Sequence, residues 1–373
     1  MDCGARLCNL YRHKELERHA AASQRQLEQL LQQSSIRSSS HQQFYHHLIR
    51  ERNLLASKQQ RTAVLQLQEQ SMALDMTFLL TKLKEGCELL SHQTVVRTNY
   101  DLGFLPAILP SIQDEMLEIY PIVGLWLDCF RMLKTKNNPA YFYALCTHLQ
   151  QTGHWLPLDE RRDAYLFAIN FSIRRFNEGE TTFGREAFEL YRKVLQQGLL
   201  TLDGYLSRFA YRNIVALSLQ LKEFDWIENF LSEYRNQLSP NYQLATYSFN
   251  LAKLEYARGQ LDGVILALQK ADYRDVLLNL AAKTLLVKVY YEQQALQALD
   301  SHLAAMRRFL RRKKMIAYHR DNYLHFVQAV QQLLRLNPYD KAAVISFQQH
   351  LMTLQPLTER QWLLDQLSSN DKH

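Results

Sequence analysis

Apolar positions along this chain recur at spacings of three and four, the period of one helix face. No long stretch alternates apolar and polar residues between Gly/Asn turns, as half-buried strands would. From about Asn9 to Gln33 the chain is polar, charged and helix-prone, with thin apolar content at Leu16, Leu27, Leu30 and Leu31, until a serine cluster between Ser34 and Ser40 breaks it. A second helical run begins near His41 and carries Phe44, Leu48 and Leu55. A third, from about Lys58 to Leu90, passes through Val64, Leu67, Met72, Leu74, Phe78, Leu79, Leu83 and Leu90, which predicts one buried stripe on a long helix. Between His92 and Ser111 the pattern lapses, and Pro106 and Pro110 punctuate it. The expected division is therefore an N-terminal long-helix segment over 1–100 and a helical-repeat region over 101–373 that ends in a capping helix.

After that boundary the chain reads as paired helices with short connections. The first pair is about Asp114–Lys134 and Pro139–Gln151, with Pro121 inside the first member and Pro139 expected at the first helical position of the second. Then come Asp159–Asn177 and Phe183–Gln197, Gly204–Leu221 and Trp226–Asn236, Tyr242–Arg258 and Gly263–Ala271, and Val276–Gln293 and Gln297–Leu310. A longer pair, about Asp321–Leu336 and Lys341–Leu354, precedes a short helix over Leu357–Leu367 whose polar Glu359, Arg360, Asp365 and Gln366 suit a terminal cap.

The turn positions Lys222, Gly259 and Gln294 lie 37 and 35 residues apart, close to the period of about 34 of two-helix tetratricopeptide units. The best-matching unit is Asn250-Leu251-Ala252, Tyr256, Gly259, Leu261, Val264, Leu268 and Ala271, and the preceding one is Asn213-Ile214-Val215, Lys222, Phe224, Ile227, Leu231 and Pro240. On these residues the chain resembles tetratricopeptide-repeat-like proteins from Asp159 to Leu310. It departs from them where their small second-helix residue is Ile227, Val264 and Leu299, and where their early tryptophan is Ser248. It also resembles bacterial helical-repeat proteins, and that resemblance implies no activity. The expected fold is all-α, an α-solenoid of such hairpins behind a long-helix N-terminal segment.

Composition supports the helical reading: glycine (11) and proline (8) are scarce in 373 residues, and 47% of residues are hydrophobic, enough for a sizeable core. The net charge of +7 equals the run Arg307, Arg308, Arg311, Arg312, Lys313, Lys314 and Arg320, which contains no acid. The rest of the chain is then close to neutral, which argues against an extended nucleic-acid surface. The first twenty residues hold no apolar segment and Ile122–Phe130 is too short to span a bilayer, so a cytoplasmic protein without a membrane partner is expected. Five cysteines, an odd number without a CxxC pair, fit a reducing compartment. The opening Met-Asp-Cys-Gly-Ala-Arg matches no helix start, as expected of a piece of a longer protein.

Motifs that carry chemistry are missing: no phosphate-binding loop, dinucleotide fingerprint, zinc-protease helix, nucleophile elbow or EF-hand occurs. No catalytic, cofactor-binding or metal-ligating residue is expected, and His41, His46 and His47 with Glu51 do not make a ligand set. The resemblance implies a partner groove along the first helix of each pair. Asn170, Asn213 and Asn250 share one repeat position there, Arg212, Lys253 and Lys288 add positive charge, and Phe249, Tyr256 and Tyr291 add aromatic surface. The expected activity is a non-enzymatic scaffold for a protein or peptide. The competing readings are asparagines that only bond between helices, and a nucleic-acid-binding regulator that uses the basic run.

Overall fold

The computed structural model describes residues 17–96, 98–135, 137–312 and 317–370. Cys3, Cys8, Lys313 and Lys314 lie outside the described residues. Among the described residues the protein is all-α apart from one short ladder, β1 (Thr201–Leu202) with β2 (Tyr205–Leu206). It forms two compact units, 1–201 and 202–373.

The first unit holds α1 (Glu17–Gln33), α2 (Ser39–Gln59), α3 (Leu67–Val96), α4 (Leu105–Ile108), α5 (Asp114–Ile119), α6 (Pro121–Lys134), α7 (Ala140–Gln151), α8 (Leu158–Asn177) and α9 (Thr182–Gln196). Helix α6 is mostly apolar, with Val123, Leu125, Trp126, Cys129, Phe130 and Met132 buried and only Arg131 and Lys134 exposed, and such a helix belongs in a core. It packs on α3, α7 and α8. The expected boundary near residue 100 therefore separates no compact units: α3 and α6 share one core across it. The buried residues of α3 include Ala73, Met76, Leu79, Leu80, Leu83, Cys87 and Leu90, whereas Val64, Leu67, Met72, Leu74 and Phe78 are exposed. The long third run expected from Lys58 begins only at Leu67, after a turn in which Asn53 Oδ1 accepts from the Gln66 N–H at 2.8 Å. Pro121, which has no N–H to donate, divides the expected Asp114–Lys134 helix at Tyr120.

The second unit holds α10 (Arg208–Gln220), α11 (Phe224–Tyr234), α12 (Pro240–Ala257), α13 (Leu261–Gln269), α14 (Val276–Glu292), α15 (Leu296–Arg312), α16 (Ala317–Arg335), α17 (Lys341–Thr353) and α18 (Arg360–Asn370). The helix expected from Gly204 starts at Arg208 because Asp203 and Gly204, at φ 50° and 82°, turn β1 into β2. Helices α10–α11, α12–α13 and α14–α15 pair, and the first members α10, α12 and α14 pack in that order. Lys222, Gly259 and Gln294, the turn positions read from the sequence, all sit in the left-handed region at φ 59°, 74° and 56°. Each closes its helix with the same two bonds. The turn N–H reaches Leu219, Tyr256 or Tyr291, and the next N–H reaches Ser218, Glu255 or Tyr290.

Helix α14 works on two sides. Leu278, Ala282, Leu285 and Val289 join a core with Phe249, Ala252 and Val264. Leu280, Val287 and Tyr291 join another with Leu303, Phe326, Phe347 and Trp362. Helix α18 closes this second core by packing on α16 and α17, which leaves the segment before it free to turn inward.

Candidate functional site

In α12, Phe249, Lys253 and Tyr256 follow one another at i, i+4 and i+7, which places them on one helix face. In α14 the same arithmetic groups Ala281, Thr284, Leu285 and Lys288. These two faces, with Leu219 of α10, Tyr323 of α16 and Thr358 and Glu359 of the segment before α18, line a cavity of about 290 Å³. Four of the residues expected in a partner groove are therefore brought together: Phe249, Lys253, Tyr256 and Lys288.

The electrostatics of the cavity are uneven. Lys288 Nζ lies 3.0 Å from Glu359 Oε2, 4.5 Å from the centre of the Tyr256 ring and 5.9 Å from that of Trp362. Its charge is thus held by one carboxylate and two aromatic faces. Glu292 Oε1 accepts from the Tyr256 hydroxyl and from Trp362 Nε1–H, the latter at 2.8 Å. Burial, followed by that bond and the Glu292 charge, pushes the Tyr256 hydroxyl far above its usual range.

Lys253 differs. Its ammonium has no hydrogen bond or ion pair among the described residues, and burial, then the charges of Arg212 and Lys288, bring its pKa down to about 8 against the opposing pull of Glu359. Arg212, half-buried on α10, completes a group of three cations facing one carboxylate. The Tyr323 hydroxyl is pushed up by burial and by Glu359. Thr284 is 3% exposed, and its Oγ1 has no hydrogen-bond partner.

The asparagine row does not form a lining. Asn250 is fully buried, its Nδ2 donates to the Thr246 carbonyl at 2.7 Å within α12, and its Oδ1 has no partner. Asn250 leaves the row because its side chain is buried and its Nδ2 bonds within its own helix turn. Asn213 is exposed outside the cavity lining, and Asn170 is exposed in the first unit. Tyr291 is buried in the core with its ring centre 5.4 Å from that of Trp362, so it lies outside the cavity as well. Sequence reasoning missed Thr284, Tyr323, Thr358 and Glu359. The i, i+4 spacing of Thr284 and Lys288 was a usable signal, whereas Glu359 looked like a solvated cap residue.

Of the basic run, Arg308, Arg311 and Arg312 are exposed at the end of α15, where positive charge complements the helix C-terminus. Arg307 is half-buried and donates to the Gln331 amide oxygen, and Arg320 lies 3.7 Å from Asp321 Oδ1. A larger cavity of about 770 Å³ lies in the first unit, lined by Arg37, His41, Tyr45, Arg52, Tyr120 and Trp155 among others. Its arginines are spent internally: Arg52 pairs with Glu28 at 2.9 Å, and Arg37 donates to the carbonyls of Ser34 and Ile36. Burial and Arg37 hold the His41 imidazole below its ordinary pKa.

Among the described residues no group of three or more His, Cys, Asp or Glu is placed to hold a metal ion. No helix among them is long and apolar enough to cross a membrane. No family model, curated protein or solved structure matches the chain, so the geometry of the site carries the functional reading.

Proposed function

We propose that this protein is a non-enzymatic interaction scaffold. Its repeated hairpins form a tetratricopeptide-like α-solenoid, and it binds a peptide or protein in the groove along α12, α14 and α16. One observation carries this reading: Phe249, Lys253 and Tyr256 on α12, Lys288 on α14 and Tyr323 on α16 line a single cavity. Aromatic faces and cations side by side suit an extended chain that offers both apolar and polar groups.

The test is selection of peptides from a displayed random library on the full chain, followed by affinity measurements on variants. Selected peptides should lose about tenfold or more in affinity with Lys288→Ala and Tyr256→Ala, each worth roughly 1.4 kcal/mol or more. Replacing Arg308, Arg311 and Arg312 by glutamine should leave them bound. Peptides indifferent to both cavity changes would reject the groove. The rival nucleic-acid reading makes the opposite prediction: capture of a DNA or RNA duplex that falls steeply with salt and vanishes with the three-arginine change.

A further inference from the structure

Helix α2 contributes one face to the cavity of about 770 Å³ in the first unit. His41, Tyr45, Leu48 and Arg52 lie on that face at i, i+4, i+7 and i+11, and Gln42 stands beside His41. Leu31 of α1 and Ile122 and Val123 of α6 supply apolar walls, and Trp155 adds a second aromatic ring to that of Tyr45. The volume falls within the roughly 300–1,000 Å³ of pockets that take small molecules. Gln42 is the group that the fold leaves without employment. The residue is 7% exposed, yet its side-chain amide makes no hydrogen bond among the described residues. That amide lines the cavity and is not sealed inside packed protein. A buried amide without partners is destabilising as it stands, and a ligand in the cavity would supply them. The Tyr45 and Tyr120 hydroxyls, in the same lining, also make no hydrogen bond among the described residues. Burial, then the Glu69 charge, raises the Tyr45 hydroxyl above its usual pKa, so it remains a donor. A few polar groups set in an apolar and aromatic lining fix the orientation of a bound small molecule.

We propose that the cavity between α1, α2 and α6 binds a neutral planar heterocycle whose edge carries a carbonyl beside an N–H, the lactam edge of a nucleobase. The Gln42 amide reads that edge, and the Tyr45 and Trp155 rings offer it aromatic faces. The edge follows from the amide: a carbonyl and an NH2 side by side are complemented by an N–H and a carbonyl side by side, as when glutamine reads a base. Neutrality follows from the ions. Arg52 is paired with Glu28, and Arg37 is held by two backbone carbonyls. Burial and Arg37 keep the His41 imidazole uncharged at pH 7. Glu118, in the lining, is exposed and has no ion pair among the described residues, so it repels an anion. All of these residues belong to the first unit, so the site stands or falls independently of the groove in the second.

The experiment is titration of the full chain with uridine and with inosine, followed by saturation-transfer NMR on the ligand. Saturable binding of at least one of them is expected. Methylating the lactam nitrogen of the nucleoside that binds removes the N–H donor and should weaken binding about tenfold. This arm uses the unaltered chain, so it holds even where a variant fails to fold. Gln42→Met, which keeps the unbranched shape, should weaken binding by a similar factor, and Tyr45→Phe should weaken it several-fold. Because the amide has no partner within the chain, Gln42→Met should unfold at the same or a higher urea concentration than wild type. Inosine monophosphate should bind no tighter than inosine. Failure of both nucleosides to saturate, or undiminished binding of the methylated form, overturns the proposal. So does a clear loss of stability in Gln42→Met, which would mean that the amide is already satisfied inside the protein. A large gain from the phosphate would overturn the neutral class of ligand.

Discussion

Lys288 and Glu359, 71 residues apart in the chain, meet with Nζ 3.0 Å from Oε2, and this contact pins the segment before α18 into the cavity lined by α12 and α14. Glu359 holds a left-handed backbone at φ 56°, an uncommon conformation for a non-glycine residue. The Lys288 side chain is 13% exposed and that of Glu359 37%. The pair is thus neither a solvated surface contact nor a fully buried one, and its worth lies between those limits.

A double-mutant cycle of Lys288→Met and Glu359→Gln, measured by urea unfolding, should give a coupling of about 1 kcal/mol. The coupling should shrink as salt is raised, since one partner faces water. A cycle that closes with no coupling at low salt would mean that the contact does not hold the segment.

Lys253 makes a prediction about pH. Its pKa is brought down to about 8 by burial and by the neighbouring cations, while in the unfolded chain it returns to the ordinary lysine value of about 10.4. Between those values the unfolded state binds more protons, so stability rises with pH there; below pH 8 the full penalty of a buried charge is present. Lys253→Met should accordingly stabilise the protein at pH 7, by at most about 3 kcal/mol. The gain should fade as pH is taken from about 8 to 10. Unfolding curves of both proteins at pH 7 and 9.5 check this, and a gain that does not depend on pH would contradict the assigned cause.

Gln294 occupies the same left-handed turn position as Gly259, at φ 56° against 74°. A side chain there costs roughly 1–2 kcal/mol, and glycine gives part of that back through a more flexible unfolded chain. Gln294→Gly should therefore stabilise by about 0.5–1 kcal/mol, and Lys222→Gly by a similar amount. Thermal unfolding of both variants is the measurement; a loss of stability in both would show that the side chains, not the turn, matter.

Gly86 marks a close approach inside the first unit. A Cβ there would overlap Leu105 Cδ2 and stand 3.1 Å from Phe130 Cδ2, and both neighbours are almost wholly buried. Gly86→Ala should cost about 1–3 kcal/mol by forcing α3 away from α4 and α6. Equal midpoints for variant and wild type in chemical unfolding would mean that the core yields freely.

What was legible in the sequence was local. Helix identity follows from a three-and-four periodicity that each helix satisfies alone, and the turns at Lys222, Gly259 and Gln294 follow from the stop signals around them. The i, i+4, i+7 placement of Phe249, Lys253 and Tyr256 on one face is likewise a property of one helix, whereas their expectation as groove residues came from the resemblance of the repeats. Tertiary packing decided the rest. Which of two apolar faces of α3 is buried depends on α6, so Leu67 and Phe78 could not be separated from Met76 and Leu83 by spacing. Asn250 and Asn213 share a repeat position, yet one is buried and bonded to Thr246 while the other faces solvent. Periodicity specifies a direction around one helix axis. It carries no information about what stands in that direction, whether water, a neighbouring helix, or a carboxylate such as Glu359 brought back from a distant part of the chain.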